Sequence, residues 1–282
     1  MIYKSPAKLN LGLSIIKKLD KYHQVKCVYT QISLFDYLSI RSLKSNTIKI
    51  KIKNCPTLAS DKNNLIYQAV DLLKQKFNIK TGVSINLIKN IPIGSGLGGG
   101  SSNAAVVLKA LNKIWHLNLS LSKLINLAKP LGIDLPYSLI GGVKSEIQGD
   151  DSGDFISLPS LPKCYIVLCF PDIFISTTTA FNQIDYKTVN KNNLDNLISS
   201  INTQDLKTIG QNLHNDFDIW TSKKYPVINQ IKSVMINNKA LGVSITGKGP
   251  TVFGIFDNLK LAQKAKSDLL STYKNTFLVK PL

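Results

Sequence analysis

Hydrophobic and polar residues follow the period of a strand or of a helix along most of the 282-residue chain. Alternating positions and short apolar runs predict strands at residues 9–17, 25–33, 46–52, 83–88, 164–170, 242–246, 251–256 and 276–280. Apolar residues at helical spacing predict helices at residues 63–77, 101–115, 121–131, 177–184, 192–200, 204–220, 226–237 and 259–272. This mixture of elements predicts an α+β fold.

The length of the chain allows one large domain or two ordinary ones, since domains usually run to roughly 100–200 residues. A polar and acidic segment at residues 149–154, with the sequence GDDSGD, is the clearest break in the hydrophobic pattern. We therefore expect two domains, an N-terminal one at residues 1–152 and a C-terminal one at residues 153–282.

The composition excludes several classes of protein. With 44% hydrophobic and 18% charged residues, the chain is not intrinsically disordered. Its apolar runs, such as residues 165–170, fall short of the roughly 20 residues that a membrane helix needs, and Lys4 and Lys8 interrupt any N-terminal secretory signal. The four cysteines show no metal-ligand spacing and are too few to staple a chain of this length. We expect reduced thiols, a cytoplasmic location and no membrane partner.

The net charge of +18 is compatible with a nucleic acid, a membrane surface or an anionic substrate as partner. Arg41 is the only arginine, however, and the lysines are scattered in runs of no more than two. Proteins that bind nucleic acids depend on arginine for bidentate contacts with bases and phosphates. The pattern therefore favours a solvated, lysine-rich surface over a nucleic-acid interface, and leaves a phosphorylated substrate open.

The most informative segment is the glycine-rich loop of residues 91–105, which reads IPIGSGLGGGSSNAA. It lies between a predicted strand and a predicted amphipathic helix. Glycine lets backbone N–H groups approach an anion, and the N-terminus of a helix favours negative charge. The alternative is an ordinary loop before a helix capped by Ser101 or Ser102. Five glycines among residues 94–100 favour a phosphate site.

Three common classes of phosphate-binding protein do not fit. The spacing of Gly94, Gly96 and Gly99 matches a dinucleotide-binding fingerprint, but no acidic residue follows between Gly100 and Ile133 to hold a ribose. Residues 242–248 begin a P-loop pattern that lacks the final hydroxyl residue. The protein kinases require an arginine in an HRD catalytic loop, and the only arginine of this chain, Arg41, does not lie in such a sequence.

Residues 92–105 resemble the central motif of the GHMP kinases. Two further segments, 5–12 (SPAKLNLG) and 244–253 (SITGKGPTVF), resemble the first and third motifs of the same family, in the same order. The resemblance spans the chain and implies a two-domain α+β kinase with ATP and substrate in a cleft between the domains. It assigns ATP binding to Pro92, Ile93, Gly94, Ser95, Gly96, Leu97, Gly98, Gly99, Gly100, Ser101, Ser102 and Asn64. Asn64 is equally well explained as a helix N-cap.

The resemblance also implies the catalytic residues. Asp134, in the segment GIDLP, corresponds to a general base that takes the proton of the attacking alcohol, although an aspartate there could also cap a turn. Lys8 is its implied partner, because a lysine can hold a carboxylate ionised and neutralise a transferring phosphoryl group. A lysine that reaches solvent is the alternative. Mg²⁺ is expected with ATP. The sequence has no acidic cluster that indicates a dedicated Mg²⁺ site, so Ser102 is the candidate ligand.

A second set of residues is implied to bind the substrate. Tyr22 and His23 resemble a pair that binds cytosine, with Lys21 in place of a glycine, and Phe181 corresponds to a second aromatic under the base. A surface Tyr–His pair and a core phenylalanine are the alternatives. The remaining substrate contacts are assigned to Asn10, Thr246, Gly247 and Gly249, beside which Lys248 and Pro250 depart from the small residues usual in the family.

We therefore expect an ATP-dependent kinase that phosphorylates a hydroxyl of a small molecule carrying cytidine diphosphate. Other GHMP kinases, such as homoserine or phosphomevalonate kinase, remain alternatives, although neither needs to bind cytosine. A basic nucleic-acid-binding protein is the alternative outside the enzymes.

Overall fold

The computed structural model describes residues 1–18, 23–148, 154–184, 189 and 194–282. The strands of the described residues are β1 (Ile2–Lys18), β2 (His23–Leu43), β3 (Ile48–Lys53), β4 (Gly82–Ile88), β5 (Lys144–Gln148), β6 (Phe155–Ser157), β7 (Tyr165–Phe170), β8 (His214–Asn215), β9 (Gly242–Ile245), β10 (Val252–Phe256) and β11 (Asn275–Val279). The helices are α1 (Leu65–Lys76), α2 (Gly99–Ile114), α3 (Leu121–Ala128), α4 (Leu135–Ile140), α5 (Thr177–Asn182), α6 (Asp195–Asn202), α7 (Leu206–Gln211), α8 (Asp218–Lys224), α9 (Val227–Asn237) and α10 (Leu259–Leu270), with a short 3-10 turn at Lys129–Leu131.

The chain divides into two compact units that interleave along the sequence. The first unit contains Met1–Ala7, Leu34–Ile93 and Gly98–Gly141, and the second contains Lys8–Ser33, Gly94–Leu97 and Gly142–Leu282. The long strands β1 and β2 each contribute residues to both units. The boundary predicted at residue 152 lies outside the described residues and stays a prediction.

The first unit packs helices on a sheet. Strand β2 pairs antiparallel with β4 between Tyr37 and Leu43, and β3 runs parallel to β4. Helices α1, α2 and α4 bury their apolar faces in one core with the inner faces of β2 and β4. The core includes Leu38, Val70, Ile85, Leu108 and Leu139, each with no exposed surface. The apolar spacing that predicted α1 and α2 therefore marks their buried faces.

The second unit contains an antiparallel sheet in the order β11-β7-β10-β9. Strands β7 and β10 are almost entirely buried, and α9 and α10 pack on them. Strand β5 adds to β2 and pairs with β6, while β8 adds to β1 in parallel. None of the helices in the described ranges combines the length and the apolar character that a membrane crossing requires.

One predicted helix, at residues 204–220, is wrong. The structure divides it into α7, the two-residue strand β8 and α8. His214 and Asn215 pair with Gly12 and Leu13 of β1, and the Asp216 N–H donates to the Leu13 carbonyl at 3.1 Å. Pairing with a strand two hundred residues away overrides the local helical pattern, which the sequence period could not indicate. The pattern also missed α4, β5 and β6, which are short.

Candidate active site

The glycine-rich loop follows β4 and ends in α2. Gly94, Gly96 and Gly98 have φ values of 68°, 80° and 66°, in the left-handed region that side chains with a Cβ rarely adopt. Helix α2 begins at Gly99, and Gly98 is its N-cap without a side-chain hydrogen bond. The alternative that Ser101 or Ser102 caps the helix is wrong, since both lie within the helix. The N-terminus of α2 thus has no side-chain cap that would compete with an anion for its backbone N–H groups.

Asp36, a residue of β2 in the first unit, holds the start of this loop. Its carboxylate is fully buried, and Oδ1 accepts hydrogen bonds from the backbone N–H groups of Asn90 and Ile91 at 2.7 and 2.8 Å. Oδ2 accepts from Lys89 Nζ at 2.7 Å and from Asn103 Nδ2 of α2 at 3.0 Å. One carboxylate therefore connects the strand before the loop with the helix after it.

Lys89 completes this buried network. Its Nζ also donates to the Ile91 carbonyl at 2.5 Å, and a Cβ on Gly99 would lie 2.9 Å from the same nitrogen. Burial lowers the pKa of the Lys89 ammonium, and the Asp36 carboxylate opposes that shift. A side chain at the first residue of α2 would therefore crowd the Lys89 ammonium and the Ile91 side chain.

The middle of the loop, Gly94–Leu97, belongs to the second unit and packs on the turn of the third motif. A Cβ on Gly96 would lie 2.4 Å from the carbonyl oxygen of Thr246, closer than real Cβ contacts. The Leu97 carbonyl accepts from the backbone N–H of Lys8 at 2.9 Å. The second unit therefore brings parts of all three sequence motifs into contact.

Three polar residues of this unit form a buried chain of hydrogen bonds. Lys8 is 6% exposed, which excludes the interpretation as a lysine that reaches solvent. Its Nζ donates to Asn10 Oδ1 at 2.6 Å and lies 5.5 Å from the centre of the Tyr29 ring. The Asn10 backbone N–H donates to Thr246 Oγ1 at 3.0 Å. A buried ammonium positioned by an amide oxygen can neutralise an anion at short range.

Asp134 lies in the first unit, directly before α4. Its backbone carbonyl accepts from the Ser138 N–H and hydroxyl at 3.1 and 2.8 Å, but its side chain does not cap the helix. The pKa of Tyr137 is raised by burial and, second, by the Asp134 charge. The helix-cap alternative for the half-buried Asp134 carboxylate is therefore wrong.

The aromatic residues proposed for the base come together in the second unit. The His23 ring stacks on the Phe181 ring with centroids 4.1 Å apart and planes 14° apart. Phe181 also meets Phe217 edge-on at 4.9 Å. Burial, and then the charge of Lys18, lower the pKa of His23 below its usual value, which favours the neutral ring. Tyr22 lies outside the described residues.

The turn of the third motif is held by a residue that the sequence did not single out. Asn215 Nδ2 donates to the carbonyls of Ile245 and Gly247 at 2.9 and 2.8 Å. Next to it, Asp216 accepts from the Ile15 N–H at 2.6 Å and from His214 Nε2 at 2.7 Å. Asn215 and Asp216 lie at β8, within the segment that the apolar spacing predicted as a helix. The one sequence signal for them is the Asn–Asp pair itself, since these residues favour turns over helix interiors.

Comparison with known proteins identifies the family. Family models described as "GHMP kinases N terminal domain" and "GHMP kinases C terminal" match residues 64–142 and 197–275. A relative from Caldicellulosiruptor bescii named 4-diphosphocytidyl-2-C-methyl-D-erythritol kinase is 38% identical over 99% of this chain and 97% of its own. This chain belongs to the 4-diphosphocytidyl-2-C-methyl-D-erythritol kinase family of GHMP kinases. It is an ATP-dependent phosphotransferase.

Solved structures agree with this family assignment. The crystal structure of a 4-(cytidine 5'-diphospho)-2C-methyl-D-erythritol kinase matches with a TM-score of 0.80 and 25% identity, covering 100% of this chain and 99% of the other. A homoserine kinase from Cytophaga hutchinsonii matches with a TM-score of 0.79 and 20% identity, covering 99% and 93%, which is a likeness of fold alone. The predicted α+β class with two GHMP kinase domains is confirmed.

Among the predicted ATP-binding residues of this kinase, Asn64 has a clear structural role. Its Oδ1 caps α1 by accepting from the Ile66 N–H at 2.9 Å, and its Nδ2 donates to the Ala59 carbonyl at 2.6 Å. Both polar groups of the Asn64 side chain therefore bond within the protein, and its contact with ATP stays a prediction.

Ser102, the residue predicted to bind Mg²⁺, is 4% exposed. Its Oγ accepts from Ser5 Oγ of the first motif at 2.8 Å.

We predict that Asp36→Asn lowers the free energy of unfolding by about 3–5 kcal/mol, because it leaves Lys89 buried without a carboxylate. Urea denaturation followed by circular dichroism measures the loss. Asp257→Asn, at an exposed aspartate before α10, is the matched control and should change stability by less than about 0.5 kcal/mol. An Asp36→Asn protein as stable as this control would contradict the role of Asp36 as the anchor of the loop.

Proposed function

We propose that this kinase transfers the γ-phosphoryl group of ATP to the 2-hydroxyl of 4-diphosphocytidyl-2-C-methyl-D-erythritol, a step of non-mevalonate isoprenoid precursor synthesis. The observation that carries the choice of substrate is the stacked pair His23–Phe181. Parallel aromatic rings with an imidazole edge provide both the stacking surface and the hydrogen bonds that read a pyrimidine base. The names of the full-length relatives support the same substrate.

The glycine-rich loop provides the phosphate site in this proposal. The uncapped N-terminus of α2 offers backbone N–H groups and the positive end of the helix dipole to the phosphates of ATP. Left-handed glycines keep side chains away from the approaching phosphate oxygens. The buried Asp36 network and the contact of Gly96 with Thr246 support the two parts of the loop from opposite ends of its sequence.

The reaction forms a bond between the substrate hydroxyl oxygen and the γ-phosphorus, and breaks the bond between that phosphorus and the β–γ bridging oxygen. ADP leaves with the electron pair of the broken bond. We assign the proton of the hydroxyl to the Asp134 carboxylate, which does not cap α4. We assign to Lys8 the neutralisation of negative charge, with Asn10 fixing the direction of its ammonium.

Mg²⁺ is expected to accompany ATP and to neutralise charge on the phosphates. No group of three or more histidines, cysteines, aspartates or glutamates that could hold a metal occurs among the described residues. Mg²⁺ commonly keeps phosphate oxygens and waters as most of its ligands, so the protein needs to add little. Ser102, whose Oγ accepts from Ser5 and retains a lone pair, is the residue that we propose as ligand.

The choice of substrate is tested by measuring ADP release from the purified enzyme with a panel of alcohols. We expect turnover with 4-diphosphocytidyl-2-C-methyl-D-erythritol and none above background with homoserine or phosphomevalonate. Turnover with one of the latter alone would contradict the proposed substrate while leaving the protein a kinase. DNA binding measured over a range of salt concentrations tests the remaining alternative, because phosphate contacts give a steep salt dependence.

We predict that His23→Ala raises the KM for the cytidyl substrate about thirtyfold and leaves the KM for ATP near that of the wild type. The substitution removes the ring stacked on Phe181 together with its hydrogen-bonding edge, and each is worth roughly 1 kcal/mol or more. Steady-state kinetics with each substrate varied in turn measures the split. Equal increases of the two KM values would contradict the assignment of His23 to the base.

We predict that Asp134→Asn lowers kcat by about 10²–10⁴-fold while ATP affinity stays near normal, because asparagine keeps the shape but cannot take a proton. Lys8→Ala should also lower kcat, and the double variant should lose less than the product of the two single losses, since both residues act on one transfer step.

The exposed Asp257→Asn variant is the control for this series and should keep full activity. If Asp134→Asn retains more than about a tenth of the wild-type kcat, Asp134 is not the general base. If the losses of the two single variants multiply, Lys8 and Asp134 act independently.

A further inference from the structure

Lys248 is one of two residues, with Pro250, by which this chain departs from the small side chains usual in the third motif. It lies between Gly247 and Gly249, whose φ values of 58° and 83° form a tight turn. The Lys248 side chain is half-buried, and its Nζ donates to Thr177 Oγ1 at 2.6 Å. The same nitrogen lies 5.9 Å from the centre of the Phe174 ring. The ammonium is thus held close to the protein rather than extended into solvent.

The surroundings of this ammonium leave its charge uncompensated. Among the ion pairs of the residues that the structure describes, none includes Lys248. Within the described part of the chain, the ammonium of Lys248 donates to a neutral hydroxyl. Burial lowers the pKa of Lys248, with no carboxylate opposing the shift. An anion that joined this half-buried ammonium would therefore gain a charge-assisted hydrogen bond.

The position of Lys248 relative to the aromatic pair His23–Phe181 indicates which anion it could bind. Thr177 is the first residue of α5, and Phe181, whose ring stacks on His23, lies four residues later on the same helix. Four residues of α-helix rise by about 6 Å and place the two side chains on one face. In a nucleoside diphosphate, the phosphates follow the base after one ribose, a separation of similar size. A cytidyl ligand with its base at Phe181 would therefore extend its diphosphate towards Thr177 and the Lys248 ammonium bound to it.

The neighbouring groups are suited to the same ligand. Thr177 accepts from Lys248 through its oxygen, so its own proton can be donated to a phosphate oxygen. The turn that carries Lys248 is tied down by Asn215, which donates to the Gly247 carbonyl at 2.8 Å. A rigid turn that delivers a cation beside a hydroxyl is a pre-organised site for an anion.

We propose that Lys248 binds the diphosphate of the cytidyl substrate and is a specificity-determining residue for it. This inference rests on the proposed function, because the base must stack at Phe181 for its diphosphate to lie at Lys248. The γ-phosphate of ATP is the competing source of the same chemistry. The two sources differ in which reactant loses affinity when the ammonium is removed.

The experiment compares Lys248→Met with wild-type enzyme. Methionine keeps the length and apolar stem of the side chain and removes the charge. We expect a rise of about tenfold to a hundredfold in the KM for the cytidyl substrate, with the KM for ATP unchanged within about twofold. Calorimetry should show CDP affinity falling by the same factor and cytidine affinity unchanged. Lys248→Arg, which retains the charge, should keep most of the affinity for CDP.

Lys264→Met, at an exposed lysine on α10, removes one positive charge elsewhere and controls for the net charge of the protein. It should leave all these constants at their wild-type values. If it matches Lys248→Met, the effect is one of overall charge and the inference is overturned.

Three outcomes separate this inference from the proposed function. Wild-type turnover of the cytidyl substrate with an unchanged KM in Lys248→Met overturns the inference and leaves the function standing. A rise in the KM for ATP alone assigns Lys248 to the other reactant and also overturns it. A wild-type enzyme that neither binds CDP nor phosphorylates the cytidyl substrate overturns the proposed function, and the inference falls with it.

Discussion

The close contact between Gly96 and Thr246 is the constraint on which the candidate site depends. Because Gly96 has no side chain, its backbone approaches the Thr246 carbonyl to a distance that any Cβ would prevent. This approach allows the middle of the glycine-rich loop to pack on the turn of the third motif, and Lys8 of the first motif bonds the adjacent Leu97 carbonyl. Lys8 and Thr246, more than two hundred positions apart in the sequence, thereby pack against the same stretch of the loop, because Gly96 has no Cβ.

The other end of the loop is held by charge rather than by close packing. Asp36 and Lys89 form a buried ion pair, which would be unfavourable if either partner stood alone. The four hydrogen bonds that the Asp36 carboxylate accepts offset the cost of removing its charge from water, and two of them come from the backbone at the start of the loop. A carboxylate held by four hydrogen bonds is fixed in place, so the backbone N–H groups at the start of the loop can be pre-organised before an anion arrives.

Three lysines of this chain illustrate how position decides what a charge can do. Lys89 is buried against a carboxylate and supports the loop. Lys8 is buried and directed by the Asn10 amide, which suits it to neutralise charge within the site. Lys248 is half-buried, and its ammonium donates to a neutral hydroxyl. The net charge of +18 did not distinguish these lysines from the solvated ones on the surface.

The amino-acid sequence by itself determined the family, the glycine-rich loop and the regular elements with strong periodicity, such as α1, α2 and α10. These features depend on residues close together in the chain, where glycine content and apolar spacing act directly on the backbone. Only the tertiary structure decided that His214 and Asn215 form a strand instead of a helix, and that Asp36 and Lys89 form one buried pair. Both depend on partners distant in sequence: the strand on hydrogen bonds to β1, and the ion pair on exclusion of water by the surrounding core. The same holds for the half-buried position of Lys248, because a single lysine in a turn carries no sign of whether its charge will meet solvent or be held beside Thr177.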